Sequence, residues 1–124
     1  MTEEDKILYF VSFCIEQYKT THEMKGSKVA DLFTKEGVID YLEKNYDVLH
    51  TQKMTEINQN NLYLLLPGKI LAVAKIYAQQ HHIPVKDAMK LFYGSLTYKR
   101  LEDEDTKFWH YGPVALYQEF EENN

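Results

Sequence analysis

A chain of 124 residues, 44% hydrophobic and 27% charged, has the composition of a soluble globular protein, and it is long enough for one core or for two small units sharing one. Its formal net charge of -5 opposes a nucleic-acid backbone binder, which needs clustered cations, and Lys99-Arg100 is the only adjacent basic pair. The single cysteine, Cys14, excludes an intrachain disulfide and fits a reducing compartment, while the acidic start and the lack of a long apolar run point to a cytoplasmic protein with no membrane span.

Thr2 can cap the first helix, with Glu3, Glu4 and Asp5 at the positive end of its dipole. Ile7, Leu8, Phe10, Val11, Cys14, Ile15 and Tyr18 recur at 3–4 spacing, which predicts an amphipathic helix reaching His22. Cys14 is expected to be a small buried hydrophobe. Lys25-Gly26 breaks the helix, and Ser27 is expected to cap a second one carrying Val29, Leu32 and Phe33. Gly37 separates a third, with Val38, Ile39, Tyr41 and Leu42, that leads into Tyr46-Asp47-Val48-Leu49-His50-Thr51-Gln52. Residues 53–61 are polar and read as a linker between sub-units 1–52 and 62–122. Leu62 to Leu66 is an apolar run whose conformation periodicity leaves open, and Pro67-Gly68 is expected to stop it. Further helices are expected over 69–82, after Pro84, after Ser95 and from Pro113, with Glu102 to Asp105 a solvated loop. The expected fold is all-α, a compact bundle of about six to seven helices.

The two halves resemble each other. An offset of 59 sets Tyr18 on Tyr77, His22 on His81, Val29 on Ala88, Phe33 on Phe92 and Leu42 on Leu101, and one inserted residue then sets Val48-Leu49-His50 on Phe108-Trp109-His110. Two such units, each about 50 residues and marginal by itself, would pack on their apolar faces.

Chemistry is sparsely encoded. The histidines lack the spacing of a compact zinc motif, and His81 and His82 point to different helix faces. The scattered glycines form neither a dinucleotide-binding nor a phosphate-cradling loop. No metal and no cofactor are expected. Asp47 lies three residues before His50 and could orient its imidazole, but a catalytic set needs a nucleophile as well, and Thr51 is poorly placed.

Phe13-Cys14-Ile15-Glu16, Gly37 to Leu42 and above all Tyr46-Asp47-Val48-Leu49-His50-Thr51-Gln52 resemble a bacterial domain-of-unknown-function family, number three-seven-nine-one, over roughly residues 5–55. The second half resembles small companion proteins with a Leu-Phe-Tyr-x-Ser-x-Thr-Tyr-x-x-Leu run, here Leu91 to Leu101. The resemblance carries no activity and no catalytic residue. It implies a place in small gene clusters, some holding proteins that resemble ADP-ribosyltransferases. Acidity, ten tyrosines and that context lead to the expectation of a non-enzymatic protein-binding module, an antitoxin- or immunity-like partner of a toxin-like enzyme. Its contact would use Tyr46, Asp47, His50, Thr51, Gln52, Trp109, His110 and Tyr111. The alternatives are a small enzyme built on Asp47 and His50, or a self-associating module closed through Leu62 to Leu66.

Overall fold

The structure, a computed structural model, describes residues 2–53 and 66–123, and these form helices and turns with no strand among them. The fold is all-α. Eight α-helices occur among the described residues: α1 (Glu3–His22), α2 (Gly26–Lys35), α3 (Val38–Lys44), α4 (Tyr46–Lys53), α5 (Leu66–His81), α6 (Val85–Tyr93), α7 (Leu96–Glu102) and α8 (Pro113–Glu122). Two 3-10 turns, Glu104–Thr106 and Phe108–His110, link α7 to α8. The chain divides into two compact units, Met1–Pro67 and Gly68–Asn124.

The helix count exceeds the expected six or seven because Tyr46–Lys53 is a helix of its own. Asn45 is the pivot. Its backbone carbonyl accepts from Val48 N at 3.2 Å and Leu49 N at 3.0 Å, which starts α4. Its side-chain Nδ2 donates to the Tyr41 carbonyl at 2.8 Å, which closes α3. One asparagine thus does the punctuation that glycine or proline would have announced.

The other boundaries follow local chemistry. Thr2 Oγ1 accepts from Asp5 N at 3.0 Å, and Ser95 Oγ accepts from Tyr98 N at 3.1 Å. Ser27 does not cap α2. Lys25 occupies the cap position with extended backbone and no side-chain cap bond, and Ser27 lies inside the helix. Gly37 takes φ +71, a left-handed conformation that favours glycine. α5 starts at Leu66, so Pro67 sits in its first turn. Lys53 ends α4, so the linker expected from that residue begins later. The rest of that linker and Leu62 to Leu65 lie outside the described residues.

In the first unit, α1 packs on α2, α3 and α4, and its buried face carries Leu8, Val11, Phe13 and Ile15. Val29, Phe33, Ile39 and Leu42 of α2 and α3 are also buried. Glu16 is buried on α1 with Lys19 Nζ 2.7 Å from its carboxylate. In the second unit, α7 packs on α6, α8 and both 3-10 turns, with Phe92, Tyr98, Leu101, Leu116 and Phe120 buried.

Local features recur at the offset of 59. α1 ends at His22 and α5 at His81. Glu23 and His82 follow in the left-handed region, at φ 52 and 56. Met24 N then bonds back to the Lys19 carbonyl at 3.0 Å, as Ile83 N does to the Ala78 carbonyl at 3.1 Å. Both ends satisfy the last carbonyls of a helix in the same way. α2 and α6 begin at Gly26 and Val85, again in step. α7 starts one residue earlier than this spacing gives, yet the buried pairs Ile39/Tyr98 and Leu42/Leu101 keep it.

Candidate protein-binding site

The residues singled out in the sequence fall into two groups. Tyr46, Asp47 and His50 lie on α4 of the first unit, and Trp109, His110 and Tyr111 lie at the second 3-10 turn of the second unit. Thr51 and Gln52 belong to α4, and their side chains lie outside the described set.

On α4 the tyrosine and histidine form a clasp. The His50 ring stacks on the Tyr46 ring at 4.1 Å, and His50 Nδ1 donates to the Tyr46 carbonyl. A carbonyl only accepts, so Nδ1 carries a proton. Asp47 is exposed and does not orient the imidazole, because the ring nitrogen it would have taken is already used by Tyr46. Tyr46 is itself 9% exposed, with its ring edge-on to Phe10 at 5.6 Å. Burial, then the charges of Glu3 and Asp47, raise the pKa of its hydroxyl above the ordinary tyrosine value. Among the described side chains of α4, Asp47 and Val48 are the exposed ones.

The same clasp recurs twice. His22 stacks on Tyr18 at 3.9 Å with Nδ1 3.1 Å from the Tyr18 carbonyl, and His81 stacks on Tyr77 at 4.0 Å. An i, i+4 pair on a helix brings both rings to one face, which accounts for the spacing. His81 turns its Nε2 outward to the Glu121 carboxylate instead.

At the second 3-10 turn, Trp109 stacks on His110 at 3.8 Å and Phe108 on Tyr111 at 4.8 Å. Lys69 Nζ donates to the Tyr111 carbonyl at 2.7 Å, which ties this turn to the start of α5. His110 and Tyr111 are exposed, and Trp109 is half-buried.

A concavity lies elsewhere in the first unit. A cavity of about 400 Å³ is lined by Cys14, Gln17, Tyr18, Thr21 and His22 of α1, Phe33 of α2, and Val38 and Leu42 of α3. Its volume is in the range of ligand-sized pockets. Phe33, Val38 and Leu42 supply apolar surface, and Gln17, Thr21 and His22 supply polar groups. Cys14 is half-buried on this wall, not enclosed in the core as the sequence suggested. Tyr41 is 58% exposed on α3. The sequence pointed to none of these as a site, because Phe33, Val38 and Leu42 read as core positions.

Among the described residues no group of three or more histidine, cysteine or carboxylate side chains could hold a metal ion, and no helix is long and apolar enough to cross a membrane. Fold and geometry thus define a class: small all-α proteins offering an apolar recess edged by hydrogen-bonding groups. Residues 9–59 match the model of a family described as a protein of unknown function, DUF3791. The whole cavity lining falls within that match, which ends before the second unit begins. No curated protein and no solved structure matches the chain.

Proposed function

We propose that the chain is a non-enzymatic protein-binding module of the bacterial cytoplasm, the acidic partner that neutralises or escorts a toxin-like, ADP-ribosyltransferase-like enzyme encoded beside it. The observation that carries this reading is the open apolar cavity in the unit that holds the family match, together with Tyr41 exposed on α3. Exposed aromatic and apolar side chains around a concavity are what a protein partner desolvates, and a net charge of -5 favours a partner with a basic rim. The missing Asp47–His50 hydrogen bond supports a binding role over catalysis. Co-expression with the product of the adjacent gene tests it. The two proteins should co-purify, and the chain should relieve growth arrest caused by the partner. Separate elution with unrelieved arrest would overturn it.

A further inference from the structure

The two units treat the same face differently. In the second unit α8 closes it. Phe120 is fully buried, with its ring 4.6 Å from Tyr77 and edge-on to Phe92 at 5.2 Å. Glu121, the next residue, takes the Nε2 of His81 and the hydroxyl of Tyr117. Glu119 reaches Arg100 of α7 at 3.9 Å.

In the first unit, the residues at the corresponding positions are Tyr18, Phe33, His22 and Tyr41. The first three line the open cavity, and Tyr41 is exposed on α3. Other lining residues follow suit: half-buried Cys14 and Val38 have fully buried counterparts in Val73 and Thr97. At the offset of 60, which allows for the inserted residue, Leu116 and Phe120 fall on Glu56 and Asn60. Neither of these two positions holds a leucine or an aromatic residue.

We propose that this cavity is the docking site for a helix of a partner protein, one that presents an aromatic side chain followed by a carboxylate, as α8 does within the second unit. The ring would lie against the edge-on pair of Tyr18 and Phe33, whose centroids are 5.2 Å apart, as Phe120 lies against Tyr77 and Phe92. The carboxylate would meet Nε2 of His22, as Glu121 meets Nε2 of His81. The lining of the recess selects this occupant. The apolar walls of Phe33, Val38 and Leu42 suit an aromatic ring, and His22 at the mouth suits an acid. The site rests on the protein-binding reading above and says where and how that binding occurs.

The chain's own helix provides the probe. An acetylated, amidated peptide of residues 112–123, carrying an N-terminal fluorophore, is titrated against the full chain and followed by fluorescence anisotropy. Cys14 locates the event, because it is the only cysteine and stands on the cavity wall. The peptide should bind saturably and slow maleimide modification of Cys14 at least tenfold. The peptide with Phe120→Ala, and the chain with Val38→Glu, should each weaken binding at least tenfold. Thr21→Arg at the exposed rim blocks the mouth without touching the core and guards against a misfolded Val38→Glu. Binding that leaves Cys14 unprotected would mean that the peptide exchanges with α8 in the second unit, and would overturn the proposal. So would absence of saturation, or concentration-dependent self-association that protects Cys14 without peptide. The two readings fail separately: peptide binding without a complex with the neighbour sinks the named partner, and a complex that leaves Cys14 reactive sinks the site.

Discussion

Phe120→Ala is the most informative single change in the second unit. The ring is fully buried, so its transfer contribution alone is about 1.5–3 kcal/mol. It also makes two ring contacts, with Tyr77 at 4.6 Å and Phe92 at 5.2 Å, each worth roughly 0.5–1.5 kcal/mol beyond area. Partial relaxation of α8 reduces the total, so the expected loss is about 3–5 kcal/mol, the range for buried phenylalanine truncations. That is a large share of the roughly 5–15 kcal/mol a domain of this size commands. Urea unfolding followed by far-UV circular dichroism measures it, and a slope of about 1–3 kcal/mol per molar places the midpoint shift at a molar or more. Phe33→Ala is the contrast. Its ring pairs with Tyr18 at 5.2 Å but borders an open cavity, so it should cost less than Phe120→Ala under the same conditions. A Phe120→Ala loss under about 1 kcal/mol, the level of an ordinary substitution, would refute the seating of α8 and the comparison built on it.

Other outcomes follow from single contacts. Gly37→Ala places a side chain at φ +71 and should cost about 1–2 kcal/mol in thermal or chemical unfolding, although the added methyl meets no neighbour. Glu23→Gly and His82→Gly should each stabilise by about 0.5–1 kcal/mol, because both positions are left-handed ends of equivalent helices; opposite signs would break that equivalence. Asp47→Ala should cost under about 1 kcal/mol, its worth at a helix N-terminus, since no hydrogen bond ties it to His50. The raised pKa of Tyr46 means the folded state holds that proton more tightly than the unfolded state. Its stabilising effect is therefore present below the ordinary tyrosine value and is lost as pH rises through the folded value. Tyr46→Phe should flatten the alkaline limb of the stability profile, and an unchanged limb would count against burial as the cause.

The helices were largely legible because their punctuation is chemical. Thr2, Ser95, Gly37, Pro84 and Pro113 each act at the boundary where their residue type predicts a break or a cap. The hidden boundary was at Asn45, which ends one helix and starts the next with no special residue beside it. The clasp on α4 was half legible. Tyr46 and His50 stood out, but Asp47 looked like the orienting group, because sequence spacing cannot show that the Tyr46 carbonyl reaches the ring first. The cavity was not legible at all. Its walls are ordinary core residues from α1, α2 and α3, and no local pattern shows that these three helices leave space between them.

The central claim is that binding runs through the cavity of the first unit. Size-exclusion chromatography of the co-expressed chain and neighbouring gene product, for the unmodified protein and for Thr21→Arg, tests it most directly. The account predicts one co-eluting complex with the unmodified chain and two separate peaks with Thr21→Arg. A complex that survives Thr21→Arg unchanged would contradict it.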